Sequence, residues 1–230
     1  MKKILALLAL VSTVGGVAHA AEGDVCIGLR GAFAFPTESK MKDPVADNQE
    51  LKKENTGLVG VGVNYEVNQN FAIGAEFLYG FDVKAKNHKD FTTGTYSKAE
   101  HKGEGLAGMA VATFMMPVND SVKLVFKGQV GAASVSDHAQ YTLANPAAGQ
   151  TNPEKVHVKD KVNFAYGAFA GAQMDLGNFV IEVGYNYLDF GATKKDTKDT
   201  LNNTAGTAEN VGGHKFFHMH AISAGLGFRL

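Results

Sequence analysis

The sequence predicts an all-β protein: an eight-stranded antiparallel up-and-down transmembrane β-barrel. Strand-like segments alternate apolar and polar residues with period two, and the connections between them alternate between long polar stretches and tight turns. The long connections are residues 36–56, 85–102, 137–160 and 191–214, and the tight turns lie near 67–70, 117–121 and 177–178. Seven connections imply eight strands. A long–short rhythm is typical of a barrel with one rim outside the cell and the other in the periplasm.

The first twenty residues, 1–20, have the pattern of a secretory signal peptide. Two lysines form a positive start, a short apolar run follows, and Ala18-His19-Ala20 is a small-x-small cleavage site. The apolar run is too short to cross about 30 Å of hydrocarbon as a helix. We therefore expect export, with residues 21–230 forming one outer-membrane β-barrel domain.

Period-two alternation is clearest in the third strand segment, 71–84. One face holds Phe71, Ile73, Ala75, Phe77, Tyr79, Phe81 and Val83, and the other holds mostly Ala72, Gly74, Glu76, Gly80, Asp82 and Lys84. The other alternating segments are 25–35, 59–66, 122–130, 162–174 and 179–187, with 220–230 as the closing strand. The fourth segment, 103–116, is apolar on both faces, so its register is not assigned from the sequence.

The apolar face is predicted to point outward, toward lipid. The other face is mostly Gly, Ala and Asn, which suits a narrow lumen better than the hydrated exterior of a soluble barrel. Aromatic residues also mark both ends of the apolar face, as the two interfaces of a bilayer select. They are Phe33, Phe35, Phe81 and Phe216 toward the long-loop rim, and Tyr65, Phe71, Phe179 and Phe228 toward the short-turn rim.

Seven charged residues on the inward face form the candidate site: Arg30, Glu66, Glu76, Lys123, Lys127, Glu182 and Arg229. An eight-stranded barrel encloses only enough space for side chains to fill. An unpaired charge in that space would be costly, so we expect opposite charges to pair across strands. A stabilising network is the favoured interpretation, and a path for ions is the alternative.

Two stretches carry a resemblance to known proteins. VIEVGYNYLDFG at 180–191 and HAISAGLGFRL at 220–230 resemble the seventh and closing strands of small eight-stranded outer-membrane barrels of the opacity-protein type, which are also similar to the membrane half of OmpA. The resemblance implies variable exposed loops that contact host cells or matrix. Leu226, Phe228 and Leu230 alternate as in the C-terminal signal read by the barrel-assembly machinery, although family members usually end in Phe.

Catalysis, metal binding and cofactor binding are not predicted. Some small outer-membrane barrels act on lipid A with a His and a Ser two residues apart, whereas His220 and Ser223 are three apart and should face opposite sides. Cys26 is the only cysteine, so an intrachain disulfide is excluded. The histidines are expected to be mostly solvated loop residues: His88, His101, His138, His157, His214, His218 and His220.

The predicted function is that of a structural or adhesin-like surface protein of the Gram-negative outer membrane, with both termini periplasmic and four long loops as the contact surface. A narrow channel for ions or small solutes is the alternative, and a lipid-modifying enzyme comes third. Expected partners are outer-membrane lipid and lipopolysaccharide, the barrel-assembly machinery, and host-surface or matrix molecules. The loops carry mixed charge without a polybasic cluster, so nucleic-acid binding is not predicted.

Overall fold

Eight long strands make up most of the structure, a computed structural model that describes residues 23–37, 40–43, 49–86, 96–143, 154–192, 195–196, 211–212 and 216–230. The predicted signal peptide lies outside the described residues. The strands are β1 (Val25–Pro36), β2 (Thr56–Asn68), β3 (Phe71–Lys86), β4 (Tyr96–Pro117), β5 (Val122–Leu143), β6 (Glu154–Leu176), β7 (Phe179–Asp189) and β8 (His218–Arg229). No described residue belongs to a helix long and apolar enough to cross a bilayer.

The eight strands close into a barrel. Each strand pairs antiparallel with the next along the chain, and β8 returns to pair with β1, where Phe228 lies opposite Ile27. In the lower part of the barrel, where all eight strands run side by side, each is paired on both edges, which is the condition for a sheet to sit in lipid. The predicted eight-stranded antiparallel up-and-down barrel is confirmed.

Local hydrogen bonds form the predicted tight turns. The Asn119 side-chain oxygen accepts hydrogen bonds from the backbone N–H groups of Ser121 and Val122, at 3.0 and 2.9 Å. Asn68 accepts from the Asn70 N–H in the turn between β2 and β3. Gly177 has φ of 70° in the turn between β6 and β7, a conformation that glycine adopts without steric cost.

Parts of the predicted long connections are strand. β4, β5 and β6 continue through 96–102, 137–143 and 154–160, all of which the sequence assigned to loops. These stretches were predicted to be loops because most of their residues are polar or charged. The first connection also contains a hairpin, Lys40–Asp43 with Gln49–Lys53, whose second strand pairs with β3. In the fourth connection, Lys195–Asp196 pairs with Val211–Gly212.

A bulge in β3 reverses the predicted faces at its upper end. The pairing with β4 shifts between Gly80 and Val83. Val83 consequently turns into the barrel, where it is fully buried, and Lys84 turns outward. The assignment of Val83 to the outward face and Lys84 to the inward face was therefore wrong. A bulge adds one residue to a strand and so exchanges the two faces beyond it, and the composition of the strand does not reveal it.

The structure also assigns the register of β4. Met109, Val111 and Met115 point inward and are buried, whereas Phe114 and Met116 are exposed on the outer face. Both faces are apolar because one meets the filled lumen and the other forms part of the exterior.

Candidate functional site in the barrel lumen

The exterior of the barrel is an apolar belt with aromatic residues at both ends. Phe33, Phe35 and Phe81 are exposed toward the long-loop rim, and a lower set is exposed toward the short turns: Phe71, Phe179 and Phe228. Tyr65 is partly buried beside them. The placement of Phe216 in the outer girdle was wrong, because this ring is fully buried against Gly103 inside the barrel.

The seven predicted charges meet in ion pairs in the half of the lumen nearer the short turns. The cross-strand pairs are Arg30 with Glu76, Lys127 with Glu182 at 2.7 Å, Arg229 with Glu66 at 2.9 Å, and Lys123 with Asp175 at 3.2 Å. With Asp175 included, the charges balance, four basic against four acidic. That the pairs stabilise the barrel stays a prediction, tested below.

Asp175 is the charged member that sequence reasoning missed. It accepts hydrogen bonds from Gln173 Nε2 at 2.8 Å and from Arg229 Nη2 at 3.4 Å. Asp24 adds a carboxylate 3.5 Å from Arg229 Nε at the short-turn end of the lumen. Asp175 could have been identified from the sequence. Residues two apart on a strand share a face, and Asp175 lies two residues after the inward-facing Gln173.

A polar layer crosses the middle of the barrel. Gln129 Nε2 donates to Glu76 Oε2 at 2.7 Å, and Arg30 Nη1 donates to Asn186 Oδ1 at 3.0 Å. Asn186 Nδ2 in turn donates to Ser223 Oγ at 2.6 Å. The Arg30–Glu76 pair therefore lies inside a hydrogen-bonded chain drawn from five strands, in which Gln129 Oε1 makes no hydrogen bond within the protein. The uncharged members escaped the sequence prediction because it considered only charges.

A cavity of about 80 Å³ lies among these side chains. Arg30, Glu76 and Lys127 line it, together with the hydroxyl of Thr113 and the residue Cys26. Thr113 Oγ1 is buried and makes no hydrogen bond within the protein. A water needs roughly 10–15 Å³ by this measure, so the cavity has room for several waters that would satisfy the hydroxyl.

The outer half of the lumen is filled by large apolar side chains. We call this cluster the apolar plug; its buried members are Leu78, Leu188, Phe190, Phe216, Phe217 and Met219. The rings of Phe190 and Phe217 stack with centroids 5.3 Å apart. Gly80 and Gly105 make room for Phe217, because a Cβ atom at either position would overlap its ring. The expectation of small and polar inward residues along the whole lumen was therefore wrong for this half.

His101 is not a solvated loop residue. Its side chain is fully buried above the apolar plug, with Nδ1 2.9 Å from Asp137 Oδ2 and Nε2 3.1 Å from the Tyr141 hydroxyl. His138 is exposed, as predicted, but it lies on strand β5 and not in a loop. His88 and His214 lie outside the described residues, and His157 is described only by its backbone pairing with His138.

The last two histidines face the exterior of β8. His218 Nε2 lies 3.0 Å from the Tyr187 hydroxyl, and the His220 ring stacks on Tyr185. Ser223 is buried inside the barrel, so a wall of sheet separates it from the His220 ring. Within the described ranges, no three His, Cys, Asp or Glu side chains are grouped as metal ligands would be.

Comparison with known proteins gives matches among solved structures alone. No family model and no curated protein matches the chain. The attachment invasion locus protein Ail of Yersinia pestis is similar at 19% identity, covering 91% of this chain and 100% of that one, with a TM-score of 0.45. Neisserial surface protein A has 12% identity, covers 90% and 97%, and scores 0.45. OprG from Pseudomonas aeruginosa has 10% identity, covers 90% and 96%, and scores 0.49.

These identities and TM-scores are too low to bear on what this chain does. The pairing of the chain's own strands therefore carries the assignment: this protein is a closed, eight-stranded antiparallel β-barrel with an apolar exterior.

Proposed function

We propose that this protein is a β-barrel of the Gram-negative outer membrane that acts at the cell surface, as a structural or adhesin-like protein, rather than by conducting solutes. The apolar plug is the single observation that carries this proposal. Its members are buried to 3% exposure or less, and they fill the lumen where a channel would need water.

Strand lengths support an orientation with the long-loop rim outside the cell. β1, β2, β7 and β8 have 11 to 13 residues, which at about 3.3 Å per residue and a tilt of about 40° rise roughly 30 Å, enough to cross the apolar band. β4, β5 and β6 have 22 or 23 residues and rise roughly 55 Å. These three strands therefore project well beyond the bilayer, on the side opposite the short turns.

The projecting strands form a rigid platform for surface contacts. Their inward residues are buried, including His101, Asp137 and Tyr141, whereas Lys98 and His138 on the outer wall are exposed. A paired sheet presents side chains in a defined arrangement, which reduces the ordering cost of binding a partner. Contact with host-surface or matrix molecules is thus proposed for this platform and the connections above it.

Location and contact are tested in cells. The protein should fractionate with the outer envelope, and its folded form should migrate differently on a gel before and after boiling. Cells with the platform shortened, by tight turns that replace residues 85–101 between β3 and β4 and residues 139–156 between β5 and β6, should bind host cells less than cells with the intact protein. Recovery in the soluble periplasm would contradict the location, and unchanged binding would contradict the contact role.

A narrow channel is the second candidate function, and the cavity among the ion pairs is the observation that favours it. Arg30, Glu76 and Lys127 line this space inside the barrel. Planar-bilayer recordings of the refolded chain separate the two proposals. A closed barrel gives no unitary currents, whereas well-defined currents that are lost on Glu76→Gln or Lys127→Gln would show a conducting lumen.

A further inference from the structure

Three polar side chains lie side by side on the outer wall where β7 ends and β8 begins. Tyr166 of β6 is directly opposite Asp189 of β7, and Asp189 is directly opposite His218 of β8. We call these three residues the rim row. Residues directly opposite each other on paired strands share a face, with Cβ atoms about 5 Å apart. A phenol, a carboxylate and an imidazole are therefore neighbours, and the carboxylate is in the middle.

The polar atoms of the rim row converge on one carboxylate oxygen. Tyr166 Oη donates to Asp189 Oδ2 at 3.4 Å, and His218 Nδ1 lies 3.9 Å from the same oxygen. The second distance is too long for a hydrogen bond. Two ligands of one metal ion, each about 2.0–2.2 Å from it, lie roughly 3–4 Å apart. Both separations are therefore those of atoms that share an ion.

The ring nitrogen of His218 that faces Asp189 lacks a hydrogen bond. Nδ1 is buried and makes none within the described part of the chain, whereas Nε2 lies 3.0 Å from the Tyr187 hydroxyl. A histidine that binds a metal normally donates its other ring N–H to an oxygen, which fixes the tautomer and the ring. With Nε2–H donating to Tyr187, the lone pair of Nδ1 points toward Asp189. A metal ion there would satisfy a buried nitrogen that is otherwise costly.

The backbone after β7 holds the carboxylate in place. The Gly191 N–H donates to Asp189 Oδ1 at 2.7 Å, and Gly191 has φ of 78°, which favours glycine. Asn163 Nδ2 donates to the Ala192 carbonyl at 2.9 Å, which ties this segment to β6. The Asp189 side chain is 5% exposed, whereas Tyr166 is 41% exposed. The carboxylate is thus fixed before binding, and the phenol side of the row is open to the exterior.

We propose that Tyr166, Asp189 and His218 bind a divalent transition-metal ion, with Cu²⁺ preferred. One imidazole nitrogen and two oxygens suit Cu²⁺, which binds such sites more tightly than Ni²⁺ or Zn²⁺. The ion replaces the proton of the Tyr166–Asp189 hydrogen bond, and this proton is released to solvent as the Tyr166 oxygen bonds the metal. The third ligand is a tyrosine, so the site contains only two of the usual His, Cys, Asp and Glu ligands.

The site does not need an otherwise unengaged carboxylate. An ionised carboxylate has two oxygens with about four acceptor positions, so Asp189 keeps Gly191 and its other partners when Oδ2 binds the ion. Asp189 and His218 each lie ten positions from Phe179 and Phe228 of the lower girdle. Ten residues at about 3.3 Å each, tilted by about 40°, rise roughly 25 Å, which is the height of the apolar band. The rim row therefore lies at the upper edge of the belt, within reach of ions in water.

Copper spectroscopy tests the proposal. The full chain is refolded in detergent without a histidine tag and titrated with Cu²⁺. The native protein should show nitrogen coupling from one imidazole in its electron paramagnetic resonance spectrum, a phenolate-to-copper absorption band, and release of about one proton per ion. His218→Asn should remove the nitrogen coupling, and Tyr166→Phe should remove the absorption band and the proton release. Each should weaken Cu²⁺ binding by more than the about 10–100-fold that loss of a supporting partner such as Tyr187 costs.

Matched controls remove the same chemical groups one outward position lower. The Tyr185 hydroxyl and His220 Nδ1 are hydrogen-bonded to each other, and their rings stack on the same wall. His220→Asn and Tyr185→Phe should leave the copper signals and the affinity unchanged. Equal losses in these controls, or signals that persist in His218→Asn, would show an adventitious ion only and overturn the proposal.

Unfolding gives a second measurement. An ion held by β6, β7 and β8 binds only the folded barrel, so excess Cu²⁺ should raise the urea midpoint of the native chain and leave that of His218→Asn unchanged. Gel mobility before and after boiling shows whether each variant has folded, and Tyr166→Phe, which keeps its ring, makes the same test if His218→Asn does not fold. The inference goes beyond the proposed surface role and does not depend on it. A folded native chain that shows no copper signal would contradict the metal site alone.

Discussion

Replacing Glu76 by glutamine tests whether the central ion pair stabilises the barrel. Glu76 contacts Arg30 and accepts from Gln129, and the Arg30 and Glu76 side chains are 9% and 10% exposed. Removing one partner of a buried pair typically costs about 3–5 kcal/mol, because the other charge stays buried. Here Arg30 keeps Asn186 as a partner and borders a cavity with room for water, so we expect a smaller loss of about 2–3 kcal/mol for Glu76→Gln.

A double-mutant cycle separates the pair from its surroundings. Arg30→Gln alone should also destabilise the barrel, and the double variant should lose little more than either single variant, giving a coupling energy of about 2 kcal/mol. The cycle of Lys98→Gln with Glu100→Gln is the control, since Lys98 is 52% exposed and such pairs contribute roughly 0.5 kcal/mol or less. The chain has no tryptophan, so urea unfolding in vesicles is followed by gel mobility and circular dichroism.

Two results would refute this reasoning about the lumen. Additive effects of Arg30→Gln and Glu76→Gln, within about 0.5 kcal/mol, would mean that the pair does not act as a unit. A coupling energy as large in the exposed control cycle would mean that burial is not the cause.

Three further predictions concern the outer half of the barrel. Phe217→Ala should cost about 3–5 kcal/mol and, if the apolar plug alone closes the lumen, should produce currents in planar bilayers that the native protein lacks. Gly105→Val should destabilise the barrel by about 1–3 kcal/mol in urea unfolding, because its side chain would overlap the Phe217 ring; an unchanged midpoint would contradict this packing. His101→Asn should cost about 1–3 kcal/mol and expose the platform to protease, whereas His138→Asn on the outer wall should match the native protein in both measurements.

The number of strands and the tight turns followed from the sequence because both depend on local chemistry. Alternation such as that of Ile73 to Tyr79 requires only that one face meets lipid and the other does not. The Asn119 turn forms from hydrogen bonds within three residues. Strand ends on the long-loop side were missed because residues 96–102 face water on one side, and their composition there resembles that of a loop.

Part of the candidate site was also within reach of the sequence. The period-two alternation of each strand placed Arg30, Glu76 and Lys127 on the inward face, since a charge on the lipid face of a barrel is costly. It did not identify their partners, because pairing depends on the register and stagger of strands that are far apart in the chain. Arg30 and Asn186, for example, are separated by 156 positions.

The sequence by itself determined the type of structure: period-two alternation, an apolar outward face and four long connections specify a barrel, because each is a property of neighbouring residues. The tertiary structure alone decided which side chains fill the barrel and which charged side chains lie on its outer wall. Phe216 and Phe217 enter the lumen from outside the strands, where glycines of other strands make room for them. The bulge in β3 turns Lys84 outward to face Lys102. Both outcomes depend on contacts between distant strands, which a period of two along one strand does not encode.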